Sequence, residues 1–178
     1  MCVAPASLWY TKQYPIEKWC DFLSKVPTNI NIYLLGGPSD KALCDNIANS
    51  LSNHNTVNFA GQLSLLESAA LMKYATMNYV CDSSPMHLCS SVDAPVTAIF
   101  CSTIPEFGFG PLSGNSTIVQ SPKELPCRPC GIHGHKECPN GSFECANSIE
   151  IKELVENRRA SAVFNLKIPV ILFELDSV

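Results

Sequence analysis

Six consecutive residues, Asp82-Ser83-Ser84-Pro85-Met86-His87, bring together groups that can hold a small anion. They lie where a strand-like apolar run gives way to a helix start. Free backbone N–H groups and the positive end of a helix dipole favour negative charge there. Ser83 and Ser84 add hydroxyls, Pro85 suits a first helical turn, and His87 adds a donor one turn in. The same residues have a purely structural reading, with Asp82 or Ser83 capping the helix and His87 packed in the core. Lys12, within Thr11-Lys12-Gln13-Tyr14-Pro15, follows the first strand and can bring an ammonium to the same crevice, although a loop lysine is ordinarily solvated. Ser7 ends that strand and offers a hydroxyl. Asp40, behind Gly36-Gly37-Pro38, either accepts bonds from a ribose or caps another helix. Gly36-Gly37 is not the GxGxxG fingerprint, which argues against a dinucleotide dehydrogenase.

Ten cysteines are the next reactive group. Cys2, Cys20, Cys44, Cys81, Cys89 and Cys101 stand singly in apolar surroundings and read as buried free thiols in a reducing cytoplasm. Cys127, Cys130, Cys138 and Cys145 cluster in a Gly/Pro-rich stretch. They open with C-x2-C, the ligand count of a structural zinc site, but the second half, C-x6-C, is wider than usual. Structural zinc, disulfide pairing and free loop thiols all remain open, and His133 and His135 flank the cluster as further candidate ligands.

The elements that must position these groups alternate. Strands are expected over residues 2–6, 31–35, 56–59, 77–81 and 96–101, and helices over 15–26, 38–51, 64–74, 85–92 and 148–157. Ser64, with Glu67 three residues on, has capping-box spacing. Strands alternating with helices imply βαβ crossovers and a parallel sheet covered on both faces. The fold class is therefore α/β, a doubly wound, Rossmann-like parallel sheet. Such sheets take ligands outside the carboxyl ends of their strands, so the informative loops are 7–14, 36–40, 61–63, 82–87 and 101–111.

The chain has 178 residues, enough for one domain with a real core. It is 46% hydrophobic and 16% charged, with a formal net charge of −4 and no basic block, which speaks against a nucleic-acid partner. Residues 1–11 do not resemble a secretory signal, and no apolar stretch reaches the roughly 20 residues needed to span a bilayer. A cytoplasmic location is expected, with peripheral association at an inner membrane compatible with it.

Several segments in fixed order carry a resemblance. They are Lys12-x-Tyr14-Pro15, Leu34-Leu35-Gly36-Gly37-Pro38, Ala60-Gly61-x-Leu63-Ser64-Leu65, Asp82-Ser83-x-Pro85-Met86-His87, Ala94-Pro95-Val96 and Phe107-Gly108-x-Gly110-Pro111. Together they are similar to the C-terminal domain of glycosyltransferase family 9, the lipopolysaccharide heptosyltransferases, over roughly residues 3–155. The resemblance implies one half of a GT-B enzyme, in which two Rossmann-like domains enclose the active site and this one holds the nucleotide-sugar donor, typically ADP-heptose. Catalysis would need no metal or other cofactor. Ser7, Lys12, Asp82, Ser83, Ser84 and His87 would hold the donor phosphates. Asp40 would lie near the ribose, and Leu63 on the loop bordering the adenine. The family usually has glycine where this chain has Ser84. Its catalytic base is an aspartate of the N-terminal domain, so the chain is expected to bind donor without transferring sugar alone. The lipid A-core acceptor would be engaged only together with that other domain.

The organisation expected is a donor-binding domain over residues 1–157, including the Cys-rich loop 126–146, and a tail over 158–178. Within the tail, residues 163–164 and 168–175 are β-prone and apolar, either packed on the domain or an exposed surface prone to self-association. Two rivals stand beside the transferase reading. One is another nucleotide-sugar enzyme, hexosyltransferase or epimerase-like. The other is a zinc-stapled, non-enzymatic interaction module.

Overall fold

A computed structural model of the chain describes residues 1–156. The expected tail over 158–178, and any self-association through it, lie outside the described residues. The elements run β1 (Cys2–Ala4), α1 (Ile16–Ser24), β2 (Ile32–Leu34), α2 (Lys41–Ser50), β3 (Thr56–Asn58), α3 (Leu65–Lys73), β4 (Asn78–Cys81), α4 (Ser84–Ser91), β5 (Val96–Phe100), β6 (Ser116–Gln120) and α5 (Glu144–Asn147). Short 3-10 turns occupy Tyr10–Lys12, Pro38–Asp40 and Pro105–Phe107.

The strands form one six-stranded sheet in the order β3-β2-β1-β4-β5-β6, and every pairing is parallel. This is the doubly wound α/β sheet expected from the alternation. Successive residues of a strand point to opposite faces, and the core divides accordingly. Val3, Leu34, Tyr79, Cys81 and Ile99 pack on one face with Trp19, Phe22 and Leu23 of α1 and Ile47 of α2. Cys2, Ala4, Val80, Ala98 and Phe100 pack on the other with Met72 of α3 and Met86 and Cys89 of α4. The central strands β4 and β5 are buried throughout, as a parallel sheet covered on both sides requires.

Local signals explain the boundaries. The Glu67 side chain accepts from the Ser64 N–H at 2.7 Å and the Ser64 hydroxyl from the Glu67 N–H at 3.3 Å, so the capping box forms as its spacing predicts. Two elements differ from expectation. The edge strand β6 was not anticipated, because only Val119 of its five residues is buried and no apolar alternation marks it. The helix expected over 148–157 starts late, with residues 151–156 helical, and a short helix not expected there, α5, ends before it at Asn147 and leaves a break between the two. The carbonyls at the break have other partners. The Lys18 ammonium donates to those of Asn147 and Ile149, the latter at 2.6 Å, and the Tyr14 hydroxyl donates to Ile149 at 3.3 Å.

All ten cysteines are free thiols. Of the six scattered ones, Cys2, Cys44, Cys81, Cys89 and Cys101 are buried as expected, while Cys20 is half-buried. No helix of the described residues is long and apolar enough to cross a membrane.

Candidate functional site

Strand order reverses between β1 and β4, with β2 and β3 wound to one side and β5 and β6 to the other. Loops leaving two such strands diverge to opposite faces and open a crevice at the carboxyl ends, the usual ligand position in this architecture. The loop after β1 carries Ser7 and Lys12, and the turn after β4 carries Asp82, Ser83 and Ser84. The fold thus joins two chemical clusters some seventy residues apart in sequence. All six of the expected phosphate-binding residues, Ser7, Lys12, Asp82, Ser83, Ser84 and His87, line one cavity of about 310 Å³.

An ion pair organises that cavity. The Lys12 ammonium lies 2.8 Å from Asp82 Oδ2, with the lysine side chain 15% and the carboxylate 7% exposed. The buried Thr103 hydroxyl donates to the same oxygen at 2.6 Å. A carboxylate is an acceptor and cannot donate to a phosphate. The part of Asp82 is therefore to hold Lys12 at the cavity.

The structural reading of this segment does not hold. Ser83 is the N-cap of α4, yet its hydroxyl donates to the carbonyls of Ala6 and Cys81, at 3.2 and 3.3 Å, and caps no helical N–H. Asp82 is occupied by Lys12 and Thr103, and no side chain caps the helix. The start of α4 is left open to the cavity. His87 is exposed rather than packed in the core. Among the described residues, neither Ser84 nor His87 has a side-chain hydrogen bond or ion pair, so both donors are available to a ligand. The Ser7 hydroxyl reaches the Asp82 carbonyl at 3.4 Å, tying the two loops together.

A second cavity, of about 500 Å³, shares Ser7, Leu8, Ser83 and Ser84 with the first. It contains Asp40 and Leu63, the expected nucleoside residues, and its floor includes Ala4, Leu35 and Met72. The Asp40 carboxylate accepts from the Gly37 N–H at 2.8 Å, so at this position the capping reading holds, while the side chain still borders the cavity. A Cβ on Gly36 would come within 2.8 Å of Asp40 Cβ, which is why the turn is glycine there. The pair of cavities is apolar at one end and rich in donors at the other.

The family model for glycosyltransferase family 9 (heptosyltransferase) matches residues 1–141. The chain belongs to glycosyltransferase family 9. Among solved structures, this family 9 chain is similar to ADP-heptose lipopolysaccharide heptosyltransferase II of E. coli, with a TM-score of 0.72, 17% identity, and coverage of 92% of this chain and 46% of that one. It is similar also to the E. coli heptosyltransferase WaaC with ADP (TM-score 0.63, 19% identity, 88% of this chain and 43% of that one). A third is TibC, an iron-containing dodecameric glycosyltransferase of enterotoxigenic E. coli (TM-score 0.63, 14% identity, 92% and 44%). The chain spans less than half the length of each. No curated protein sequence matches it.

In the Cys-rich loop of this family 9 domain, the four cysteines whose spacing raised a zinc site are not drawn together into one group. Cys127, Cys130, Cys138 and Cys145 line a small cavity of about 200 Å³, yet no group of three or more His, Cys, Asp or Glu among the described residues is placed to hold a metal ion. Asn140 stands between two of the thiols, its amide donating to Cys127 Sγ at 3.4 Å while Cys138 Sγ donates to its Oδ1 at 3.1 Å. Burial pushes the Cys145 thiol up to about 11, and Cys130 is raised for the same reason. His133 lines the donor-rich cavity instead, and the His135 backbone is bonded to Thr11. Arg128 fixes the start of the loop to the end of β5, donating to the carbonyls of Cys101 and Thr103 at 2.7 and 2.8 Å and to Gln120 at 2.7 Å.

Sequence reasoning missed Thr103, Thr11 and the apolar cavity wall of Trp9, Phe107, Phe109 and Ile132. The aromatic pair falls in loop 101–111, which the strand ends had marked. Thr11 and Thr103 also fall in marked loops, 7–14 and 101–111, but nothing in a loop threonine shows which distant group it bonds.

Proposed function

We propose that this chain binds the donor of a family 9 glycosyltransferase, a nucleotide-diphosphate sugar of the ADP-heptose type, in assembly of a lipopolysaccharide core. The observation that carries the reading is the single cavity lined by Ser7, Lys12, Asp82, Ser83, Ser84 and His87, contiguous with a larger one at Asp40 and Leu63. Their combined shape suits a diphosphate between a nucleoside and a sugar. That WaaC was solved with ADP and heptosyltransferase II is named for ADP-heptose supports adenine as the base.

Glycosyl transfer leaves growing negative charge on the departing diphosphate. Groups already aimed at that charge lower the barrier without reorganising. Lys12 supplies a cation, the open start of α4 supplies N–H groups and a helix dipole, and His87 and Ser84 supply donors. Asp82 and Thr103 keep the ammonium in place. On this reading no metal or other cofactor is required. Deprotonation of the acceptor hydroxyl is assigned to no residue of this chain. The acceptor, a lipid A-core saccharide, is assigned to the family's other domain.

Calorimetric titration with ADP, UDP and GDP tests the proposal. ADP should bind most tightly, and Lys12→Met should weaken it by about tenfold or more, as loss of a charge-assisted contact predicts. Absence of ADP binding at millimolar concentration, or preference for UDP or GDP, overturns it.

A further inference from the structure

The Cys-rich loop is folded onto the segment that carries Lys12. Thr11, only 1% exposed, joins the two. Its N–H donates to the His135 carbonyl at 3.1 Å, and its hydroxyl donates to the same carbonyl at 3.3 Å. That hydroxyl also accepts from the His135 N–H at 2.8 Å and from the Ser102 hydroxyl at 3.0 Å. One donor and two acceptor positions are a hydroxyl's whole capacity, and all three are used. The Cys130 N–H donates to the Ser102 carbonyl at 2.7 Å, so the loop grips this point from two sides.

Gly134 is the point of closest approach. Its φ is +74°, a conformation that side chains rarely adopt, and a Cβ there would lie 2.8 Å from Thr11 Oγ1 and 3.1 Å from Lys12 Cγ. The glycine backbone is therefore a wall against the stem of Lys12, behind the ammonium that meets Asp82.

We infer that the Cys-rich loop is a positioning device for the anion site, with Gly134 and Thr11 as the residues that fix Lys12 toward the bound diphosphate. The inference rests on the donor-binding reading for what the ammonium meets. The clamp itself rests only on the contacts above. It gives the loop a role that needs no metal, and it explains how a segment more than a hundred residues distant shapes the cavity between β1 and β4.

The test uses the full chain and its Gly134→Ala, Thr11→Val, Thr11→Ser, Lys12→Met and Lys12→Met/Gly134→Ala variants, titrated with ADP and with adenosine. Gly134→Ala and Thr11→Val should weaken ADP by about tenfold while changing adenosine by less than about twofold. Thr11→Ser, which keeps the hydroxyl, should retain ADP affinity. In the Lys12→Met background, Gly134→Ala should cost nothing further, because the group it positions is gone. Acetylation of Lys12 by an N-hydroxysuccinimide ester, followed by mass spectrometry, reads the clamp without any ligand. Lys12 should react several-fold faster in Gly134→Ala, with exposed Lys25 and Lys41 unchanged as references.

The inference is overturned by unchanged ADP affinity in Gly134→Ala, by parallel loss of ADP and adenosine, or by a penalty that persists without Lys12. Unchanged acetylation of Lys12 overturns it as well. A wild-type chain that binds neither ligand removes the donor reading instead, and acetylation then still decides the clamp.

Discussion

Asp82 illustrates how a residue's neighbours decide its task. From its place in Asp82-Ser83-Ser84, it reads as part of a phosphate turn or as a helix cap. The structure gives its carboxylate a lysine and a threonine, with 7% of the side chain exposed. A buried charge that loses its partner costs more than the pair contributes, because the remaining ion keeps its desolvation penalty. Asp82→Asn should therefore destabilise the chain by about 3 kcal/mol, and the double variant Asp82→Asn/Lys12→Met should recover part of that loss. Urea denaturation of the four species measures both, and additive losses would show that the two side chains do not depend on each other. At this scale the legible residues were those beside strand ends: Ser7, Lys12 and the Asp82–His87 stretch are found by asking which loops leave the carboxyl edge. Thr11, Thr103 and Gly134 were not legible. Their significance lies in partners far along the chain, and a threonine or glycine in a loop looks the same with or without one.

At the scale of elements, periodicity and punctuation located strands and helices wherever burial imposed a pattern. The central strands have it, and so does α1, whose Trp19, Phe22 and Leu23 form one buried stripe. The edge strand β6 escaped because an edge needs only one apolar residue to dock. The break after α5 escaped for a different reason, since a tertiary contact replaces local hydrogen bonds there. Lys18 donates to the Asn147 and Ile149 carbonyls, a cation at a helix C-terminus, where the dipole favours it. Lys18→Met should destabilise the chain by about 1–2 kcal/mol. More locally, it should loosen α5, which carries the buried Cys145. Faster iodoacetamide labelling of Cys145 in this variant, at unchanged labelling of Cys44, is the expected outcome. A Cys145 that stays equally protected would show that the segment is held by its apolar contacts alone.

For the whole molecule, burial of thiols on both faces of the sheet makes stability depend on alkaline pH. Desolvation pushes Cys44, Cys81 and Cys89 up to about 12 and Cys2 up to about 11, from an ordinary 9.0. Below pH 9 these thiols are protonated in the folded and unfolded chain alike, and none of them changes stability. Above pH 9 the unfolded chain releases protons that the folded chain retains. Folding then carries an excess of bound protons, and stability falls as pH rises. Each such thiol contributes a slope of up to about 1.4 kcal/mol per pH unit between the two values. Tyr14, also raised by burial, adds to the fall at higher pH. Lys18, lowered by burial from an ordinary 10.5, opposes it, but it is one group against several, and the N-terminal ammonium, lowered from 8.0, acts only below this window. Several thiols acting together can exhaust a domain stability of about 5–15 kcal/mol within two or three pH units. The urea midpoint should therefore be level from about pH 7 to 8.5 and fall steeply above about 9. Cys81→Ala and Cys44→Val, whatever they cost at neutral pH, should each make the alkaline fall shallower, because one titrating group is removed. A midpoint that stays level through pH 10.5 would mean that the buried thiols reach solvent far more readily than their packing between sheet and helices allows.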